Sequence, residues 1–564
     1  MSHDLLIRNA LIVDGSGAEP VHGDVAVSGG RIAQVGKVDG AASQTIDAQG
    51  LALSPGIVDL HTHFDAQITW DRGCSPSPSL GVTTAVIGNC GFGIAPCPPD
   101  QREMLMKNLS VVEGMDLNSL LTGVNWDFES FPQYMDLLRR IGPDLNVAVF
   151  AGHSVIRTAV MGEQACTRAE PTSDELARMT ALVREAMDAG AIGFASSFSP
   201  NHSGYGGVPM PSTIAGDEEL AAMVGVLGEV GRGVFMSATG PRATPDYMER
   251  LAQTTGRPMF ISTVLSMYHD SAPERGLAMY DRCAQAIDRG NEVYIQTSCQ
   301  PLSFDFDMVS PYVLYSHDAF ERVKEVEGDR EMLREIYVQP AMRERFRQNL
   351  KSPAEGILFY GDWSQIEINP ARPENAAFAQ RNVAQLAAEH GKDPVDWLLD
   401  FVLSENLETG LVGKFFNNRD EGVARLLRHR AGVVTLSDAG AHLTYLCDAG
   451  FGMHLLGHWV RETGTFTLAE AVRRLTSHPA DLYRIPDRGR IKAGNWADML
   501  LFDPEQVGIG KLRAVDDLPG GGRRMIRDGL GVHGVWVNGQ MTWDGRQAVL
   551  REHGPGQVLD RFNA

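Results

Sequence analysis

Pro55-Gly56-Ile57-Val58-Asp59-Leu60-His61-Thr62-His63 is a short apolar run that opens on a Pro-Gly turn and closes on two histidines spaced i and i+2. Its brevity reads as a buried strand rather than a helix, and residues i and i+2 of a strand share one face. The same texture returns downstream at 82–87, 145–150, 191–195, 233–237, 259–264, 292–297 and 433–436. Amphipathic segments lie between many of these runs. Leu176, Met179, Leu182, Val183, Ala186 and Met187 recur at helical spacing behind a cap at Thr172 or Ser173, and Gly190 stops the helix. Segments 218–229, 244–255 and 278–289 read the same way. Strands alternating with helices in this number predict an α/β fold, a TIM-like (β/α)8 barrel.

The two ends of the chain differ from its middle. Segments 5–13, 24–27, 31–35, 46–47 and 51–53 read as strands, with Gly29-Gly30 as a hairpin turn. At the far end 497–502, 534–537 and 541–543 do likewise around an Asn538-Gly539 turn. Both termini are therefore expected to build one small β-sandwich domain, from residues 1–55 and 481–564, flanking a barrel over 56–480. Residues 301–364 break the alternation and carry Phe304, Phe306, Tyr312, Tyr315, Phe320, Tyr337 and Phe346. They read as an insertion, either a lid over the barrel mouth or a helical pair that buttresses it.

Composition bounds the function. With 564 residues, 43% of them hydrophobic and 21% charged, the chain can bury a large core. Its 50 basic against 71 acidic residues leave a net charge of −21, which repels nucleic acid and anionic lipid. The expected partner is a small-molecule substrate, and a homo-oligomer is compatible with this composition. The start, 1–15, lacks a basic region followed by an apolar core, so no signal peptide is read. No run nears the ~18 apolar residues that span a bilayer. The seven cysteines are odd in number and widely spaced, unlike a disulfide framework. A cytoplasmic protein is expected.

Two imidazoles on one face at the C-terminal end of a barrel strand make half of a divalent-metal site, so His61 and His63 are candidate ligands. Asp438 ends the last expected strand, which neighbours the first once a barrel closes. A carboxylate there can ligate the ion and accept a proton from an activated water. An isolated Asp after a strand more often caps a helix; beside two histidines the ligand reading is stronger. Cys90, in Gly88-Asn89-Cys90-Gly91, ends the second expected strand. It is a candidate thiolate ligand, against the alternative of a small buried hydrophobe. His153, His202, Tyr205, His269 and His442 are weaker candidates for binding substrate, each with a bland alternative as a hydrogen-bonded or exposed loop residue. Gly152-His153-Ser154 lacks the closing glycine of a nucleophile elbow, since Ile156 stands there.

The run 55–63 resembles the amidohydrolase superfamily, and 81–84 with 88–92 is similar to its N-acyl-D-amino-acid deacylase (D-aminoacylase) subgroup. Gly152-His153, Ala189-Gly190-Ala191-Ile192-Gly193, residues 391–396, Ser437-Asp438, 476–480 and 494–498 extend the likeness over most of the chain. The resemblance implies a barrel with a β domain drawn from both termini. It places the family's first-strand histidines on His61 and His63, its bridging cysteine on Cys90 and its last-strand aspartate on Asp438, and it has the cysteine stand where a carbamylated lysine would otherwise serve.

Two departures from that pattern shape the expectation. Family histidines after the fifth and sixth strands fall here on Ala238 or Thr239 and on Thr263, so the second metal position looks dismantled. The family's substrate-binding arginine after Asp438 is replaced by His442-Leu443. The leading expectation is thus an amidohydrolase with one principal divalent ion, zinc or another divalent metal, cleaving a non-peptide amide of a small N-acylated substrate. The alternatives are hydrolysis of an ester, lactone, cyclic imide or N-formyl bond (or decarboxylation) at the same site, and a degenerate barrel that binds without turnover.

Overall fold

A computed structural model describes residues 2–199, 202–238, 240, 242–262, 267–352, 358–443 and 448–564. It comprises two compact units: residues 1–266, 277–299 and 424–564, and residues 267–276 with 300–423.

The first unit holds the barrel. Its strands are β1 (Ile57–Asp59), β2 (Val82–Ile87), β3 (Asn146–Gly152), β4 (Gly193–Ser197), β5 (Val234–Ala238), β6 (Met259–Ser262), β7 (Val293–Thr297) and β8 (Gly432–Val434). They pair in chain order, and every pairing is parallel. Every residue of the eight strands is buried, because a parallel sheet is covered on both faces and so reads as unbroken apolar runs. The sheet curls back on itself just beyond β1 and β8. Leu60 N donates to Thr435 Oγ1 at 2.9 Å, and a parallel bridge joins Thr62 to Ala439. Gly440 lets that seam close: its φ is +96°, and a Cβ there would lie 2.6 Å from the carbonyl oxygen of His63.

Helices cover the outer face as the spacing predicts. Ser173–Asp188 begins with a capping box between Thr172 and Glu175, and Asp217–Val230 and Pro245–Thr255 follow β4 and β5. Among the described residues no helix is long and apolar enough to cross a membrane.

The same unit carries an eight-stranded sheet drawn from both ends of the chain. Ala52–Pro55 pairs in parallel with His3–Ile12 and antiparallel with Met499–Phe502, which is how the two termini meet. Leu5, Ile7, Ile12, Val25, Leu53, Met499 and Trp536 share its core. Both expected hairpin turns are present, with positive φ at Gly29, Gly30, Asn538 and Gly539.

The second unit has a four-stranded sheet in the order Leu302–Phe306, Gly410–Phe416, Ile366–Asn369, Arg381–Asn382. The stretch read as an insertion over 301–364 lies within it, and the unit continues to Val423 because Gly410–Phe416 pairs antiparallel with Leu302–Phe306.

Candidate metal centre

The four leading site residues all emerge from C-terminal ends of barrel strands, where loops can present side chains without disturbing the packed interior. His61 and His63 follow β1 and set their rings edge to face, with centroids 5.2 Å apart. Cys90 follows β2 in a turn where its own φ is +54°. Asp438 follows β8, and its backbone N–H donates to the carbonyl of His61 at 3.1 Å. Leu436, Asp438 and His442 also hold positive φ, at 75°, 53° and 55°. Left-handed backbone at non-glycine residues is strained and gathers at sites that need it.

These side chains converge. Ligand atoms of His61, His63 and Cys90 all lie within 4.8 Å of one another, the one such cluster of three or more among the described residues. Asp438 Oδ1 is 3.0 Å from His63 Nε2 and 3.4 Å from His61 Nε2, while Cys90 Sγ is 3.6 Å from His61 Nε2. The histidines and the cysteine are buried, whereas the Asp438 side chain keeps 21% exposure.

Two residues that the sequence reading passed over lie against the imidazoles. His61 Nδ1 donates to Gln296 Oε1 on β7 at 2.7 Å, and Gln296 Nε2 in turn donates to the Tyr483 hydroxyl at 2.9 Å. His63 Nδ1 lies 3.0 Å from the buried Oε1 of Glu113. Both histidines therefore turn Nε2 toward Asp438. The only local signal for Gln296 is a polar residue in the apolar run Val293-Tyr294-Ile295-Gln296. Glu113, at the end of helix Arg102–Val112, reads as an ordinary solvated acid.

Charge in the cluster is tightly coupled. Burial pulls His61 down to about 4. Burial also opposes a charge on His63, yet the Glu113 and Asp438 carboxylates outweigh it and hold that imidazole well above its ordinary value. Burial works to raise Asp438, but His63, His61 and His442 hold its carboxyl well below the usual range. Burial pushes the Cys90 thiol up to about 11, against the pull of His63. Two imidazole nitrogens, a sulfur and a carboxylate oxygen aimed at one another form a donor set that suits zinc. Glu113 and Asp438 supply the negative charge that a dication compensates, and a dication would convert the thiol to thiolate.

The other candidates are placed less uniformly. His442 stands beside Asp438, Nε2 to Oδ2 at 3.8 Å, with its side chain 46% exposed. His202 packs its ring on Phe92 at 5.0 Å and hydrogen-bonds Ser197 Oγ at 2.7 Å; burial takes it down to about 4, with Glu113 and Asp438 pulling the other way. His153 does not join the cluster. Its Nδ1 bonds Ser196 Oγ and its Nε2 bonds Glu219 Oε1, both at 2.8 Å, and Arg157 closes that buried network. Tyr205 is 54% exposed; its ring lies under the Lys107 ammonium, and its backbone N–H donates to Asn108. His269 belongs to the second unit, where it bonds Ser271 and the Leu358 carbonyl. Of the positions where further metal ligands would fall, Ala238 ends β5; Thr239 and Thr263 lie outside the described residues.

Comparison with known proteins agrees with this geometry. The amidohydrolase family matches residues 44–291 and 370–542. D-aminoacylase of Alcaligenes xylosoxydans xylosoxydans is 28% identical, with 100% of this chain and 98% of that protein aligned. N-acyl-D-aspartate deacylase of the same organism is also 28% identical, over 99% and 95%. The crystal structure of N-acyl-D-glutamate deacylase from Bordetella bronchiseptica, complexed with zinc and a phosphonate mimic of the tetrahedral intermediate, superposes with a TM-score of 0.67 at 25% identity and covers both chains fully. With that span matched, the chain belongs to the amidohydrolase family, in its D-aminoacylase-like subgroup of metal-dependent hydrolases acting on carbon–nitrogen bonds other than peptide bonds.

Proposed function

We propose that His61, His63, Cys90 and Asp438 hold one principal divalent ion, zinc first, and that Asp438 is the general base and acid for cleaving the amide of a small N-acylated substrate. The observation that carries this is the position of Asp438 Oδ1, 3.0 Å and 3.4 Å from the two Nε2 atoms. When bound, the ion is a Lewis acid that acidifies water and polarises a carbonyl. The rest belongs to the chain. With Oδ1 turned to the imidazoles, Oδ2 is the oxygen free to take the proton of the attacking water and return it to the departing nitrogen. His442, next to Oδ2, can donate to a carbonyl oxygen or steady the carboxylate. His202 and Phe92 form one packed wall beside the centre.

Elemental analysis of purified protein tests the ion count. Near one zinc per chain is expected, and two would reject the single-ion reading.

A second reading concerns the substrate. Among the described residues the side chains paired with the Asp438 carboxylate are His61, His63 and His442, with no guanidinium among them. An arginine fork is the usual clamp for a carboxylate, so a neutral substrate fits this centre better than a free N-acyl-D-amino acid. An uncharged amide comes first, then an ester, lactone, cyclic imide or N-formyl group. Turnover of a panel of neutral amides and esters against N-acyl-D-amino acids separates these readings. We place the protein in the cytoplasm, in keeping with the six free, buried cysteines among the described residues. We assign the barrel to 56–480, interrupted by the insertion at about 301–364, and the terminal β domain to 1–55 with 481–564.

A further inference from the structure

The buried carboxylate of Glu113 takes no part in the proton transfer proposed above. It sits where helix Arg102–Val112 ends, with its backbone N–H donating to Leu109 at 2.9 Å. Its carbonyl accepts from His442 N at 2.6 Å. Gly114, with φ +55°, permits this approach, since a Cβ there would lie 3.3 Å from the His442 Cα. The side chain is 4% exposed and points to His63, with Oε1 3.0 Å from Nδ1. Among the described residues that oxygen meets no donor in full hydrogen-bond geometry, so its 3.0 Å contact with Nδ1 is an ion pair. A buried carboxylate without an Arg or Lys partner is expensive unless a cation lies close by. Here the near neighbour is an imidazole whose other nitrogen faces Asp438 at 3.0 Å.

We propose that Glu113 is a positioning residue of the metal centre, holding the His63 ring so that Nε2 is the donor it presents. This rests on the assignment of His61, His63, Cys90 and Asp438 as the residues that hold the ion. An imidazole has two nitrogens, and a carboxylate bonded to one of them fixes both the tautomer and the ring orientation at the other. Through its main chain Glu113 also pins His442, so one residue ties the end of the helix to both edges of the barrel seam.

Zinc affinity, measured by competition with a chromogenic chelator, tests this in the full-length protein and in Glu113→Ala, Glu113→Gln and His61→Ala. The thermal midpoint of each metal-free form is the companion readout. Glu113→Ala should bind zinc roughly 10- to 100-fold more weakly. Glu113→Gln should fall between it and the parent, because the amide oxygen can still face Nδ1 while the charge is gone. Its metal-free midpoint should stay at the parent value. Parent-like zinc affinity in both Glu113 variants, with binding lost in His61→Ala, overturns the role of Glu113 alone. Parent-like affinity in His61→Ala overturns the metal centre itself, and the proposal with it. Should Glu113→Ala not fold, nitrogen-15 histidine spectra of the zinc-loaded parent decide. Zinc on Nε2 of His63 with a proton on Nδ1 is expected, and zinc on Nδ1 overturns the proposal.

Discussion

The backbone N–H of Asp438 donates to the carbonyl of His61 at 3.1 Å, so residues 377 positions apart in the chain meet at the seam of the barrel. The reciprocal bond, His63 N to the Ala439 carbonyl at 2.7 Å, locks the register. Side chains leaving two such paired segments cannot drift apart without breaking the closure. The centre is therefore as rigid as the barrel, which is what a preorganised metal site needs.

Asp438→Asn should remove most of the activity and little of the stability. The amide keeps the shape but cannot take a proton, and a positioned general base contributes roughly 10²- to 10⁴-fold. kcat should fall by about that factor on the best substrate, with an unchanged circular dichroism spectrum. Parent-like kcat in this variant would take Asp438 out of proton transfer.

Gln296→Met tests the other imidazole. His61 Nδ1 and the Tyr483 hydroxyl would both lose their buried partner, and each stranded polar group costs about 1–3 kcal/mol. Loss of an outer partner of a ligating histidine typically weakens metal binding by about 10-fold or more. Zinc affinity and the thermal midpoint should therefore drop together, whereas a variant that lost stability but kept its zinc affinity would show Gln296 to be a packing residue only.

Much of this centre was legible in the sequence for a geometric reason. The i, i+2 spacing of His61 and His63 on a strand end forces a shared face, and a closed barrel makes Asp438 their neighbour whatever the loops do. Glu113 was not legible, because nothing within its own helix distinguishes it from a solvated acid. Its burial follows from His63, fifty positions earlier. The contact that His153 makes away from the cluster was hidden by the same logic: Glu219, 66 positions later, takes its Nε2. The extent of the second unit depends on Leu302–Phe306 pairing with Gly410–Phe416, a register that no local pattern encodes.

The C-terminal segment is a strap on the barrel. Leu559 N donates to the Val147 carbonyl, and Val147 N donates to Gln557. Gly554 and Gly556 bond the carbonyls of Gly142 and Pro143, and Asn538 Nδ2 donates to Pro555. Deleting residues 551–564 strands several of these groups around β3. Because each one left without a partner costs about 1–3 kcal/mol, the truncated protein should lose at least ~3 kcal/mol, read as a lower urea midpoint. A midpoint equal to the parent would show the strap to be dispensable.

His478 should make stability depend on pH. Burial, then the nearby Arg473 and Arg474 charges, take its imidazole from 6.5 down to about 4, and among the described residues its buried Nδ1 has no hydrogen-bond partner. The native form is therefore neutral. As pH falls below 6.5 the unfolded chain gains a proton that the native chain refuses, so stability is intact above that value, declines toward pH 4 and levels off once both states are protonated. The full loss from this residue is ~3 kcal/mol. Other buried histidines, such as His202, add to the same slope, so the diagnostic quantity is a difference. His478→Gln, which cannot titrate, should flatten the dependence of the urea midpoint between pH 6.5 and 4 by close to one proton's worth while matching the parent above pH 7. Parallel curves for parent and variant across that window would mean that His478 is protonated equally in the folded and unfolded chains.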